Sequence, residues 1–119
     1  MANVLIVDDS RTSRRILRDL VESGGNKIVG EAVNGREAID MYTALKPDVV
    51  TMDITMPIMD GTTALAEILD MDPEARVIMV SAVGQRSKIV ECIRMGAKDY
   101  IIKPYELRQV IEVIDKCLV

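Results

Sequence analysis

The chain has 119 residues, the size of one ordinary domain, and its 49% hydrophobic and 29% charged residues are typical of a folded protein. Its formal charge of −4 argues against a nucleic-acid surface spread over the domain, and the absence of histidine excludes histidine-based metal sites and Ser-His-Asp catalysis. No uncharged run approaches the roughly 20 residues of a membrane span, and no segment resembles a signal peptide. We therefore expect a soluble, cytoplasmic protein that makes no membrane contact.

Five short aliphatic or β-branched runs alternate with five amphipathic stretches. The predicted strands cover residues 4–7, 27–31, 49–52, 77–81 and 100–102. The predicted helices cover about residues 13–23, 36–45, 62–71, 87–95 and 106–118. This strict alternation predicts an α/β fold with a parallel sheet, right-handed crossovers and helices on both faces. We find no linker, internal repeat or low-complexity segment, so residues 1–119 are interpreted as a single domain.

Polar side chains follow four of the five predicted strands. In chain order they are Asp8 and Asp9, then Asp53, then Ser81, then Lys103. In an open α/β sheet, ligands bind beyond the carboxyl ends of the strands, where the strand order reverses. The second strand delivers nothing comparable, which suggests that it lies on the outside of the sheet.

If the first and third strands are neighbours, the three aspartates converge at one edge of the sheet. Crowded carboxylates repel one another unless a cation is present, and hard oxygen ligands with room for waters suit Mg²⁺. Lys103 would add an ammonium group and Ser81 a hydroxyl donor, so the pocket matches a phosphoryl group with a carboxylate in line for attack. The alternative, that Asp8 and Asp9 are ordinary acids at a helix N-terminus, explains that pair but not the convergence from four strands.

Four motifs, each at a strand end, carry the resemblance to a known family. They are VLIVDD at 4–9, MDITMPIMDG at 52–61, VSA at 80–82 and GAKDYIIKP at 96–104. From about residue 3 to residue 118 the chain resembles the receiver domain of two-component response regulators, most closely the stand-alone chemotaxis regulators of the CheY type. The resemblance implies a flavodoxin-like (βα)5 doubly wound fold whose five strands lie in the order 2-1-3-4-5.

The resemblance also implies a phosphorylation-activated switch. Asp53 would be the phosphoacceptor, taking a phosphoryl group from a phosphohistidine on a histidine kinase. Asp9, Asp53 and the backbone carbonyl of Thr55 would bind one Mg²⁺ directly, and Asp8 would act mainly through a bound water. The downstream target would be a protein such as a flagellar motor switch protein, and we expect a monomer that is no enzyme beyond its own phosphorylation and slow dephosphorylation.

The switch itself is assigned to residues on the last two strands. The resemblance implies that Ser81 donates to the phosphoryl oxygens, that Lys103 pairs with them, and that the Lys103–Pro104 peptide bond is cis. Tyr100 stands at the family's switch position. We expect phosphorylation to draw Ser81 toward the new oxygens and Tyr100 to turn inward, changing the surface of the fourth helix, fifth strand and fifth helix. The alternative is that Tyr100 is an ordinary strand aromatic.

Two positions beside the expected acyl phosphate are predicted to set its lifetime. Thr55 stands two residues after Asp53, where many relatives carry Asn, and Val83 stands two residues after Ser81. Both flank the phosphoryl group, so we expect them to govern access of water or of a phosphatase.

A basic stripe on the first helix leaves two interpretations open. It comprises Arg11, Arg14, Arg15 and Arg18. The stripe is either a solvated face or a docking surface for the kinase or phosphatase; direct DNA binding is disfavoured by the acidic balance of the domain.

Three other functions are alternatives to this interpretation. The chain could be a receiver cut from a longer regulator with a DNA-binding or enzymatic effector. A phosphohydrolase of the haloacid dehalogenase type needs a second Asp two residues after its nucleophile, where this chain has Thr55. A nucleotide-binding module lacks both glycine-rich phosphate motifs.

Overall fold

The computed structural model describes residues 1–119 as five parallel strands alternating with five helices. The strands are β1 (Asn3–Val7), β2 (Lys27–Ala32), β3 (Val49–Asp53), β4 (Val77–Ser81) and β5 (Asp99–Ile102). The helices are α1 (Arg11–Ser23), α2 (Gly35–Leu45), α3 (Gly61–Met71), α4 (Arg86–Met95) and α5 (Leu107–Cys117). All ten predicted elements are confirmed, and their observed bounds lie within two residues of those expected.

Short polar residues set the starts of the first three helices. The side chains of Ser10, Asn34 and Asp60 each accept a hydrogen bond from the backbone N–H three residues later, at 3.2, 2.9 and 2.9 Å. These bonds satisfy N–H groups that the first turn of a helix leaves without partners. At the other end of a helix, Gly96 closes α4 with a φ of 127°, in the region that favours glycine.

The sheet has the order β2-β1-β3-β4-β5, as the family resemblance implied. β2 is an outer strand, which confirms the expectation drawn from its lack of functional side chains. In the register, Val7 lies opposite Met52 and Asp53 lies opposite Val80. The carboxyl ends of β1, β3 and β4 therefore meet at one edge of the sheet.

Alternation along the strands divides the core into two layers. In β1, Leu5 and Val7 face α2, α3 and α4, whereas Val4 and Ile6 face α1 and α5. Every residue of β3 and β4 is buried, as expected for central strands covered on both faces. None of the helices has the length and apolar character that crossing a membrane requires.

Two of the four arginines of the basic stripe on α1 make contacts inside the fold. Glu31 of β2 accepts hydrogen bonds from Arg14 Nε and Arg18 Nε, both at 2.9 Å. Arg14 Nη1 also donates to the backbone carbonyl of Asp8 at 2.8 Å. Only Arg11 and Arg15 remain exposed, so the predicted stripe is not a continuous free surface.

The three tyrosines lie in three separate parts of the molecule. Tyr42 on α2 donates its hydroxyl to Asp72 at 2.7 Å, near the amino-terminal edge of the sheet. The hydroxyl of Tyr105 lies 2.9 Å from Ser13 Oγ and connects the start of α1 to the loop before α5. Tyr100 of β5 is 40% exposed.

Candidate functional site

Three carboxylates converge where β1 and β3 end. One oxygen each of Asp8, Asp9 and Asp53 lies within 4.8 Å of the other two. Asp8 and Asp53 are buried and Asp9 is exposed, so the cluster is enclosed on its sheet side and open on its solvent side. Carboxylates this close repel one another, and hard oxygen donors facing solvent fit a Mg²⁺ ion that keeps some of its waters.

Lys103 is delivered to the same cluster from the end of β5. Its Nζ lies 3.1 Å from Asp8 Oδ2 and 3.3 Å from Asp53 Oδ2. The Lys103–Pro104 peptide bond is cis. One ammonium group cannot neutralise three carboxylates, so the cluster still favours a divalent cation.

The two buried carboxylates have opposite pKa shifts. Burial and the neighbouring charge of Asp8 raise the pKa of Asp53 to about 6, and Lys103 offsets this rise only in part. Burial alone would also raise the pKa of Asp8, but hydrogen bonding from Ser13 and the Ser10 N–H, together with Lys103, lowers it. Asp8 therefore stays ionised, and the repulsion between the two carboxylates raises the pKa of Asp53 and not that of Asp8. A cation placed beside Asp53 would favour the carboxylate form that a nucleophile needs.

Ser81 brings an unpaired hydroxyl to the adjacent strand end. The residue is wholly buried, and its Oγ has no hydrogen-bond partner. A buried hydroxyl without a partner is costly, and an acceptor oxygen arriving at the carboxyl edge would relieve that cost. The ends of β3 and β4 are held together by a 3.0 Å bond from the Ile54 N–H to the Val80 carbonyl. Ser81 therefore lies on the strand next to Asp53 with a hydroxyl donor that has no partner.

The residues predicted to set phosphoryl lifetime lie on the outer side of the site. Thr55 is exposed in the β3–α3 loop, and Val83 is 81% exposed in the β4–α4 loop. Thr55 accepts a hydrogen bond from Gln85, whose side chain also binds the Ala82 N–H. Sequence reasoning missed Gln85, because a single glutamine in a loop carries no motif.

Tyr100 lies apart from the acid cluster, in a groove of about 690 Å³ beside α4 and β5. The groove is lined mainly by apolar side chains, which include Ile89, Val90, Ile93 and Ile102. The tyrosine is 40% exposed, so in this structure it faces the groove and is not buried behind Ser81. The structure thus brings Asp8, Asp9, Asp53 and Lys103 together, with Ser81 beside them, and places Tyr100 on a neighbouring surface.

A doubly wound sheet with three acids and a lysine at its carboxyl edge points to a phosphoryl-accepting signalling domain. Residues 4–115 match the model of the response regulator receiver domain, and the chain belongs to that family. It is therefore a signalling domain and not a classical enzyme, and the phosphohydrolase alternative is not supported.

Within this family the chain is similar to chemotaxis regulators. It is 50% identical over 113 residues to the chemotaxis protein CheY of Thermotoga maritima, covering 95% of this chain and 94% of that protein. It is 49% identical over 115 residues to CheY of Bacillus subtilis, covering 97% and 96%.

A solved structure that contains a chemotaxis regulator is also similar to this chain. The CheX–CheY–BeF3–Mg complex from Borrelia burgdorferi contains a chain that matches with a TM-score of 0.93 at 41% identity, covering 98% of this chain and 89% of that one. These similarities favour a relationship to stand-alone CheY regulators over a receiver cut from a longer protein.

Proposed function

We propose that Asp53 accepts a phosphoryl group from a phosphohistidine of a histidine kinase. The observation that carries this proposal is the convergence of three carboxylates within 4.8 Å, with Lys103 Nζ 3.3 Å from Asp53 Oδ2. In the transfer, one Asp53 oxygen attacks phosphorus, the phosphorus–nitrogen bond breaks, and the histidine leaves. The product is an acyl phosphate at the end of β3.

The donor set fits one Mg²⁺ ion. Asp9, Asp53 and the backbone carbonyl of Thr55 would hold it directly, and Asp8 through a water. When bound, the ion neutralises charge on the phosphoryl oxygens and on the crowded carboxylates. Relief of that crowding is the reason we expect phosphorylation to require a divalent cation.

Lys103 and Ser81 would hold the new group in place. A phosphoryl group adds about −1.5 to −2 charge and three acceptor oxygens. Lys103 already contacts Asp53, so its ammonium would pair with one of those oxygens. Ser81 would donate its unpaired hydroxyl to another, which supplies the partner that this buried group lacks.

The output surface would be the groove at α4 and β5. Its apolar lining and exposed tyrosine suit a protein partner. We propose that movement of Ser81 opens space for Tyr100 to turn inward, so that phosphorylation changes affinity for a downstream target. By relationship to the chemotaxis proteins, that target is a component such as a flagellar motor switch protein.

The phosphorylated state would be limited in time by slow self-catalysed hydrolysis or by a phosphatase. Thr55 and Val83 flank the acyl phosphate and would govern access of the attacking water. We propose that residues 1–119 act as one monomeric receiver domain that does not itself bind DNA.

Intact mass spectrometry after incubation with acetyl phosphate and Mg²⁺ tests the proposal. We expect one added phosphoryl group on the wild type, and none on Asp53→Asn or in the presence of EDTA. An adduct that persists in Asp53→Asn would move the acceptor elsewhere. Absence of both an adduct and beryllofluoride binding in the wild type would overturn the proposal.

A further inference from the structure

The side-chain amide of Gln85 joins the two loops that flank the phosphorylation site. Its Oε1 accepts a hydrogen bond from the Ala82 N–H at 2.9 Å, and its Nε2 donates to Thr55 Oγ1 at 2.8 Å. The backbone N–H can only donate, so the amide oxygen must face Ala82 and the NH2 group must face Thr55. Both ends of the amide are therefore used, and we call this pair of bonds the Gln85 tie.

The Gln85 tie closes a ring across the ends of β3 and β4. Thr55 lies two residues beyond Asp53, and Ala82 directly follows Ser81. The other side of the ring is the strand pairing itself, which ends in the bond between the Ile54 N–H and the Val80 carbonyl. A backbone displacement of Ser81 relative to Asp53 therefore changes the distance between the two groups that the tie connects.

The tie accounts for all the hydrogen bonds of this side chain, which also lines the groove beside α4 and β5. Gln85 is the N-cap residue of α4, but its side chain makes no capping hydrogen bond. It is half-buried, whereas both groups that it connects belong to exposed loop residues. Removing the side chain would release the loops without removing a helix cap.

We propose that Gln85 is a positioning residue that stabilises the unphosphorylated arrangement and that its tie opens when Asp53 is phosphorylated. The proposal rests on the function proposed above. Ser81 Oγ is buried and unpaired, and Ala82 directly follows it in the chain. On this proposal, a backbone shift of Ser81 toward a phosphoryl oxygen displaces the Ala82 N–H from Gln85 Oε1, which it now contacts at 2.9 Å. Contacts made in only one of two states favour that state, so the tie weakens binding of a phosphoryl group.

Beryllofluoride with Mg²⁺ is the probe, and its affinity is measured by calorimetry. We expect Gln85→Ala and Gln85→Met to bind it about threefold to tenfold more tightly than the wild type, since a net hydrogen bond corresponds to about a fivefold change. Gln85→Met keeps the length of the side chain and removes both bonds. Lys88→Ala, an exposed substitution on α4, is the matched control and should leave the affinity unchanged.

Thr55→Val removes the hydrogen bond between Gln85 Nε2 and Thr55 Oγ1, and it should also tighten beryllofluoride binding. Combined with Gln85→Ala it should add nothing further, because the shared contact is already lost. If Gln85 only stabilised the fold, its substitution would lower the melting temperature without tightening beryllofluoride binding.

Equal or weaker binding by both Gln85 variants would overturn the tie as a restraint on switching. A wild type that binds no beryllofluoride would overturn the tie, and if it also forms no adduct with acetyl phosphate, the proposed function falls with it. A wild type that binds it, with no gain in the variants, would overturn the tie alone.

Discussion

At the scale of single residues, the Asp53 carboxyl is held where its charge is costly. Its side chain is 10% exposed and lies beside the buried, ionised Asp8. Because the pKa of Asp53 is raised to about 6, the folded protein binds more protons at this group than the unfolded chain does between about pH 4 and 6. Stability from this group therefore falls as the pH rises through that window, and the full cost is present above it.

Replacing Asp53 by Asn should stabilise the metal-free protein. At pH 7 we expect Asp53→Asn to raise the free energy of unfolding by about 1 to 3 kcal/mol, since one pKa unit corresponds to about 1.4 kcal/mol. Near pH 4 most of the gain should disappear, because Asp53 is then protonated in the folded state and about half protonated in the unfolded chain. Urea unfolding in EDTA at both pH values measures this, with the exposed Asp40→Asn as the control. A gain that is the same at both pH values would contradict the electrostatic cause.

Ile58 is a second residue that costs stability, in this case through its backbone conformation. Its φ is 68°, in the left-handed region that β-branched residues avoid, and it is 84% exposed, so burial does not compensate. Asn tolerates this region, and we expect Ile58→Asn to raise the free energy of unfolding by about 0.5 to 1.5 kcal/mol. Chemical denaturation measures the change.

The control for Ile58 is Val83→Asn. Val83 is an equally exposed aliphatic residue in a loop, but it is not among the non-glycine residues with positive φ. We expect Val83→Asn to change the free energy of unfolding by less than about 0.5 kcal/mol. Equal gains in the two variants would show that polarity, and not backbone strain, is responsible.

At the scale of elements, the bounds of strands and helices followed closely from the residues. Aliphatic runs and capping residues such as Asn34 and Asp60 are local signals, so all ten elements were predictable. The contacts between elements were not. The sequence predicts Glu31 only as part of a strand without functional side chains, yet its carboxylate binds two arginines of α1. That pairing depends on how α1 lies across β2, which no local pattern encodes.

The Glu31 ion pairs should contribute measurable stability. Hydrogen bonds from Arg18, opposed by burial and assisted by Arg14, lower the pKa of Glu31. A lowered pKa means that the contribution is complete above the ordinary glutamate pKa and is lost as the pH falls through the folded value. We expect Glu31→Gln to lower the free energy of unfolding by about 0.5 to 1.5 kcal/mol at pH 7, and by less below about pH 4.

Glu67→Gln is the matched control for Glu31. Glu67 faces Arg36 at 3.7 Å, and both side chains are about half exposed. Exposed pairs of this kind contribute about 0 to 1 kcal/mol. Denaturation curves of the two variants at pH 7 and pH 3.5 compare them, and a larger loss at Glu67 than at Glu31 would contradict the prediction.

At the scale of the whole molecule, the site exists only when the sheet is complete. Its side chains come from the ends of β1, β3, β4 and β5, which are distant in the chain and adjacent in the fold. Because the carboxyl ends of parallel strands share one edge of a sheet, the sequence alone predicts that the acids, Ser81 and Lys103 lie there. The strand order itself rested on the family resemblance, and the Gln85 tie, a contact between two loops, had no signal in the sequence.

Because an assembled site is needed, Mg²⁺ should stabilise the entire domain. A ligand that binds only the folded state at 100 times its Kd adds about 2.7 kcal/mol to the free energy of unfolding. We expect the melting temperature of the wild type to rise with Mg²⁺ at constant ionic strength, and that of Asp9→Asn to rise far less. A similar rise in both would mean that the ion acts elsewhere. Circular dichroism suits the measurement, since the chain has no tryptophan.

Because the three tyrosines lie in separate regions of the molecule, each can serve as a spectroscopic probe of its own region. Fluorotyrosine incorporation would give one ¹⁹F resonance for each region: Tyr42 for the amino-terminal edge of the sheet, Tyr105 for the junction of α1 with the loop before α5, and Tyr100 for the groove. With no phenylalanine or tryptophan in the chain, these three rings are its complete set of such aromatic side chains. A single spectrum, recorded with and without beryllofluoride, would therefore show which regions respond to occupation of the site and which stay still.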